Sequence, residues 1–207
     1  MNKATLRQRI KDLLNRTDLT DSVANIFIDQ AMQRIQRQLR TPMNEKLGTF
    51  IIEQEYPEFG LPSEFLELIS LTYFNEQGEI ASVLERVPIT TLENKKRVQD
   101  VTGVPRFYAR KHLDILIYPT PSKGTMEIYY YAEFPSIDEI NSEHVLTEVA
   151  PDLVIYGALS FAADYFTDER ASLFEQRFQT ALQEIQNQSD QQHLSGGIQT
   201  VQPAYDY

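Results

Sequence analysis

The side chains able to do chemistry are scattered along this chain. Carboxylates occur in close pairs, Glu53 with Glu55 and Asp138 with Glu139. Two carboxylates flanking a sugar linkage can serve as acid and base, or as acid and nucleophile, in glycoside hydrolysis. With 30 Asp and Glu in the chain, such pairs also arise from composition alone. The three histidines, His112, His144 and His193, lie in separate segments, and none has a second histidine four residues away. There is no cysteine, which excludes disulfides, thiolate metal sites and cysteine nucleophiles, and no metal site is expected. The chain has no GxSxG elbow, no GxGxxG fingerprint and no GxxxxGK[ST] loop. Neither a serine nucleophile of that type nor a nucleotide cofactor is therefore signalled. Nothing converges on a catalytic site, so no catalytic or cofactor-binding residue is assigned and the chain is not expected to be an enzyme.

Two groups could instead contact a partner. Lys95, Lys96 and Arg97 form the one basic run, which reads as the solvated face of a short helix, with a phosphate or acidic-partner contact as the alternative. The stretch from Tyr118 to Pro135, "YPTPSKGTMEIYYYAEFP", holds three consecutive tyrosines. In a strand, neighbouring side chains alternate faces. Met126, Ile128, Tyr130 and Ala132 then face a core, while Glu127, Tyr129, Tyr131 and Glu133 face outward. Tyr129 and Tyr131 become candidates for a subunit interface. A base-stacking platform would want positive charge beside its aromatics, and this strand supplies glutamates.

The elements that must position these residues follow from periodicity. Leu6, Ile10, Leu13 and Leu14 predict a helix over 3–16. Thr20 or Asp21 caps a second helix running to about Arg40, striped by Ala24, Ile28, Ala31, Ile35 and Leu39. A short connection makes the two a hairpin. From Leu47 the period shortens to that of strands: "TFIIEQEY", "LELISLTYF", "EIASVLERV", "GVPRFYAR", "LDILIYP" and "TMEIYYYAEF", rich in β-branched and aromatic residues. "EFGLPSEF" predicts one helical turn, and "PITTLENKKRVQD" a helix between strands. Pro119 and Pro121 belong to a turn. "VAPDLVIYGALSFAADYF" predicts the most buried helix, with Pro151 in its first turn. Gly157 inside it costs about 1 kcal/mol relative to alanine, a cost that a close helix crossing would justify. Thr167 caps a last helix with Asp168 and Glu169 in its first turn and Phe174, Phe178, Ala181, Leu182 and Ile185 on its stripe. The pattern stops after Asn187. The remaining residues are polar, with anchors at Leu194, Ile198, Val201, Tyr205 and Tyr207 and no period of their own.

The expected fold class is α+β: a helical bundle from the N- and C-terminal helices, a central antiparallel β-rich insertion and an extended C-terminal tail. The segments are a helical hairpin over 1–46, the insertion over 47–135, the C-terminal helices over 136–187 and the tail over 188–207. Leu6, Ile10, Ile28, Ile35, Val154, Phe161, Phe174 and Phe178 are expected to share one core. The net charge of -11 is unevenly spread. Residues 1–46 carry 9 Lys and Arg against 5 Asp and Glu, and residues 133–207 carry 2 against 13. Such a C-terminal third repels nucleic acid rather than neutralising its phosphates. The opening "MNKATLRQRIKDLL" has no apolar core typical of a leader, and no apolar run is long enough to cross a bilayer.

The order of these segments resembles the head–tail adaptor (connector) proteins of tailed bacteriophages, mainly the short-tailed ones. The residues that carry the resemblance are "LRQRIKDLLNRTDLTD" with "FIDQAMQRIQRQLR", "LPSEFLELISL", "GVPRFYAR", "LDILIYPTPSKGTMEIYYYAEFP" and "APDLVIYGALSFAADYFTDERASLFEQRFQTAL". The resemblance implies a non-enzymatic protein of the virion neck, made in the host bacterial cytoplasm. It implies a homo-oligomeric ring, commonly of twelve copies, beneath the portal protein. The ring would extend the channel through which double-stranded DNA passes without specific binding, and present a lower surface to a tail or nozzle protein. No membrane is involved. In several such adaptors a C-terminal arm reaches the portal, which here makes Leu194, Ile198, Val201, Tyr205 and Tyr207 the expected portal contacts. The alternatives are a tail-completion protein docking elsewhere in the tail and a carboxylate-based hydrolase of cell-wall sugar.

Overall fold

The computed structural model describes residues 1–53, 58–140 and 144–194, with side chains through residue 191. Two compact units emerge, one from Met1–Met43 with the chain from Phe134 onward, the other from Asn44–Glu133. The fold is α+β, with six α-helices and eight strands among the described residues.

In the first unit, α1 (Lys3–Leu14) begins at Asn2, whose side chain accepts from the Thr5 N–H, and ends at Asn15 in the left-handed conformation. The second helix, α2 (Asp21–Gln38), is capped by Thr20, whose hydroxyl accepts from the Val23 N–H. Three helices follow the β-rich unit: α4 (Val145–Val149), α5 (Pro151–Tyr165) and α6 (Ala171–Leu194). Leu6, Ile10, Ile28, Ile35, Val154, Phe174 and Phe178 are buried in a single core. Phe161 packs against that core but is only partly buried, because it sits on the flank of α5 beneath the Arg34 guanidinium, 5.8 Å away. Gly157 marks the expected close crossing. A β carbon there would lie 3.1 Å from both Ala31 Cβ on α2 and the Phe178 ring on α6. Arg34 joins the same helices from the surface. It forks onto Glu175 at 2.8 and 2.5 Å and covers the Phe178 ring at 4.3 Å.

Two expectations about these helices are corrected, and one helix was not foreseen. Thr167 is not a cap; it has a positive φ of 52°, and α6 starts later, at Ala171. Asp168 instead closes a turn just before the helix, its carboxylate accepting from the Arg170 N–H at 2.9 Å and its carbonyl from the Ala171 N–H. Arg170 in turn donates to the Leu13 and Leu14 carbonyls that end α1, a cation where the helix dipole favours one. Next, α6 does not stop at Asn187 but continues to Leu194. Gln186 and Ser189 both donate to the Arg40 carbonyl, which ties a polar stretch to the chain after α2 without any apolar stripe. Finally, α4 answers to no periodic signal. It is five residues long, too short to show one.

The second unit contains two four-stranded sheets. The first has the order β1 (Glu45–Ile52), β8 (Gly124–Ala132), β3 (Phe65–Phe74), β4 (Ile80–Val83) and is antiparallel. The second has the order β2 (Glu58–Gly60), β7 (Asp114–Tyr118), β6 (Phe107–Lys111), β5 (Glu85–Arg86). Met126, Ile128, Tyr130, Ala132 and Leu71 of the first sheet share a core with Ile115 and Ile117 of the second. Helix α3 (Ile89–Val98) closes the opposite side of the second sheet through Leu92, which packs with Ala109 and Leu116.

Here too the expectations need correction. The insertion is not wholly antiparallel, because β5 pairs parallel with β6. "EIASVLERV" is two strands rather than one. The Leu84 N–H donates to Leu71 in the first sheet and the next N–H, of Glu85, donates to Arg106 in the second, so the chain changes sheets within one residue. "EFGLPSEF" forms β2 and then a single turn closed by the Phe65 N–H on the Pro62 carbonyl, not a helix. Bulges in β3 between Phe65 and Glu67 and between Leu68 and Ser70 shift its alternation, which the regular-looking sequence does not disclose.

Candidate interaction surface

The tyrosine run lies in β8, the strand between β1 and β3. Its backbone is therefore paired on both sides, and a partner can meet it only through side chains. Alternation divides the run as expected. Tyr130 is buried and stacks on Phe65 at 5.7 Å between ring centroids, while Tyr129 and Tyr131 are half-buried on the other face.

Register shows what surrounds them. Leu47 and Ser70 flank Tyr129, and Glu45 and Glu67 flank Tyr131. Further along the same face, Thr49, Glu127, Thr72 and Val83 form one row, and Ile51, Thr125, Phe74 and Ile80 another. Leu47 is 59% exposed, Ile51 78%, Ile80 66% and Val83 64%. Four large aliphatic side chains thus stand in water around two tyrosines on one sheet face. The Tyr129 hydroxyl donates to the Glu45 carboxylate, and that bond, with some burial, raises the tyrosine's pKa. This keeps the phenol neutral and fixes its ring across the β1–β8 pair. The rows contain Glu45, Glu67 and Glu127 and no Lys or Arg. A largely apolar face whose charges are all negative suits another protein chain better than a nucleic acid. Sequence reasoning found the two tyrosines but not the aliphatics around them. The alternation Leu47, Thr49, Ile51 in "LGTFII" was the available signal.

Leu194 ends α6, but its side chain lies outside the described residues, as do Ile198, Val201, Tyr205 and Tyr207. Glu55 of the first carboxylate pair lies outside them as well. Glu139 of the second pair is held by Arg7 at 2.7 Å. Among the described residues no three His, Asp or Glu side chains gather closely enough to hold a metal ion. Three carboxylates, Glu64, Asp168 and Glu175, are pushed down to about 2. Hydrogen bonds cause each shift: from Glu64's own backbone with Ser63 and Lys46, from Arg170, and from Arg34 respectively. A glycosidase acid requires a shift the other way.

A family model described as SU10 adaptor protein matches residues 1–201. The chain belongs to this family. It is a family of phage head–tail adaptors, so the adaptor has a structural role at the head–tail junction of the virion, among other head and tail proteins. A search of curated proteins returns no match. The family match reaches beyond α6, to residue 201 of the adaptor. Among the described residues no helix is long and apolar enough to cross a membrane.

Proposed function

We propose that the adaptor assembles into a homo-oligomeric ring, of twelve copies, that docks beneath the portal protein. The ring extends the channel for double-stranded DNA, which passes without specific binding, and offers its lower surface to a tail or nozzle protein. In this reading the hairpin 1–46 and the helices of 136–187 form a helical bundle, 47–135 is the inserted β-rich layer, and the end of α6 with the chain after it reaches the portal through Leu194, Ile198, Val201, Tyr205 and Tyr207. Tyr129 and Tyr131 lie at the contact between neighbouring subunits. The observation that carries the reading is the family match over residues 1–201. The acidic excess of the chain supports a channel that does not retain DNA.

The test is reconstitution with the purified portal protein, followed by size-exclusion chromatography with light scattering and by electron microscopy. A stoichiometric ring-on-ring complex is expected. Absence of any complex across salt and magnesium conditions would overturn the proposal. Because α6 runs to Leu194, the informative truncation begins at Ser195. It should weaken docking and leave the helical signal nearly unchanged. Undiminished docking would remove the tail from the portal contact.

A further inference from the structure

Residues 86–112 carry seven Lys and Arg against two Asp and Glu, in a chain of net charge -11. Three of these cations gather on one side of the β5–β6 pair. Arg86 stands opposite Tyr108 in the register, and Arg106 and Arg110 lie two residues to either side of Tyr108, so they share its face. All three are exposed. Arg86, Tyr108 and Arg110 line a cleft of about 100 Å³ with Leu61, Phe65 and Glu67.

The cleft is built around the arginines. Arg110 lies 5.4 Å from the centre of the Phe65 ring, and its Nε donates to the His112 carbonyl at 3.2 Å. Those contacts fix the guanidinium plane while its two terminal nitrogens bond to no described residue. Neither Arg86 nor Arg110 is within ion-pair distance of a described carboxylate. Glu67, the acid of the lining, is engaged by a contact of its own. Burial raises the pKa of Tyr108, with nearby Arg86 opposing the shift, so the hydroxyl stays a neutral donor. Two guanidinium forks and a phenol around apolar walls suit a carboxylate on a short apolar stem. The volume is that of one side chain. A duplex backbone does not fit into it, and Glu67 would repel a polyanion.

We infer that the Arg86–Tyr108–Arg110 cleft receives an exposed Asp or Glu side chain from a second copy of this chain. Residues 136–187 hold ten Asp and Glu against two Arg. Glu148, Asp152, Asp164, Glu169 and Glu184 are exposed there and form no ion pair with a described residue. Unlike surfaces of opposite charge on one chain are what a head-to-tail ring contact requires. The identity of the occupant rests on the homo-oligomeric reading above; the carboxylate chemistry of the cleft does not.

Zero-length cross-linking tests this on the full chain. Arg86→Lys and Arg110→Lys keep the charge and supply amines that a carbodiimide joins to any carboxylate they touch. Equal amounts of ¹⁴N- and ¹⁵N-labelled variant are mixed, cross-linked and mapped by mass spectrometry, with matched circular dichroism as the check on folding. The expected result is mixed-isotope links from position 86 or 110 to Asp or Glu within 136–187, several-fold above links from Lys95 or Lys96. Links within one isotope only, or none above those lysines, would overturn the inference. Links formed only to added portal would replace the second copy as occupant, and suppression by a short DNA duplex would reassign the cleft to phosphate. Inter-copy links without portal docking would leave the cleft standing and sink the adaptor ring alone.

Discussion

Gly124→Ala should destabilise the β-rich unit far more than Gly78→Ala, although both glycines have positive φ. Gly78 has φ 78° and a β carbon there would meet nothing within 4 Å. Its substitution carries only the backbone cost of the left-handed region, about 1–2 kcal/mol. Gly124 opens β8 at φ 131°, and its β carbon would fall 2.4 Å from the Phe74 carbonyl oxygen and 2.8 Å from the Tyr73 ring and hydroxyl. The carbonyl is backbone of β3. The Tyr73 hydroxyl is tied to the Lys123 carbonyl. Neither can yield without disturbing the β3–β8 pair. Backbone strain of about 1–3 kcal/mol and overpacking of about 1–3 kcal/mol together put the loss near ~4 kcal/mol.

Urea unfolding followed by near-ultraviolet circular dichroism reads the right unit. The chain has no tryptophan and 11 tyrosines, and six of these lie among the described residues of the β-rich unit. With a urea slope of about 1–3 kcal/mol per molar, Gly124→Ala lowers the midpoint of that transition by roughly 1.3–4 M. Gly78→Ala lowers it by about half that or less at the same slope. Equal losses at the two sites, or a Gly124→Ala midpoint within experimental error of the parent, would refute the contact geometry at the start of β8.

Other consequences can be checked alongside. Glu175 is lowered from 4.5 to about 2 by Arg34; its stabilising pair is therefore intact above about pH 4.5 and lost as the pH falls toward 2. Arg34→Met should cost roughly 1 kcal/mol at neutral pH, after screening of a carboxylate 40% exposed, and the difference from the parent should shrink through that window in acid titrations followed by circular dichroism. Phe178→Ala should cost about 3–5 kcal/mol in thermal or urea unfolding, and Phe161→Ala clearly less, because the first is fully buried between α2, α5 and α6 while the second is only partly covered. Ile51→Glu should leave monomer stability within about 0.5 kcal/mol, as expected of an exposed surface position. It should nonetheless abolish ring formation in light scattering if the first sheet's outer face joins subunits; normal rings from this variant would move the interface elsewhere.

Legibility in the sequence followed the length and regularity of each element. The stripes of α1, α2, α5 and α6 repeat over three turns or more, and most of the residues they nominated are buried in one core; Phe161, Leu182 and Ile185 only pack against it, and Leu13 is exposed. Alternation in β8 was equally readable, because the eight residues from Gly124 to Tyr131 pair with β1 without a register shift. The failures lie where a local feature outweighs the period. The α6 start was misplaced because Asp168 and Arg170 bond each other in a turn before the helix, in a stretch that reads as an ordinary acidic first turn. The α6 end was misplaced because polar side chains, Gln186 and Ser189, hold it to Arg40. Sheet switching at Leu84 depends on pairing partners more than 10 residues away in sequence, Leu71 and Arg106, and no window of nearby residues contains that information.

The candidate surfaces were harder to read than the core, for a physical reason. A core residue announces itself by hydrophobicity in phase with its element. An interface residue is defined by what stands beside it across strands. Leu47 becomes informative only when register sets it next to Tyr129, and Arg86 only when the parallel pairing sets it opposite Tyr108. The one basic feature visible in the linear sequence, Lys95-Lys96-Arg97, is the less organised of the two. Lys95 lies over the Phe107 ring, and Glu93 and Asp100 flank the run in sequence. The arginines at 86, 106 and 110 are separated by up to 24 residues, yet converge on one face of two paired strands. In a protein whose proposed work is to hold neighbours together, the surfaces that do so are products of strand pairing, and they become visible only once that pairing is known.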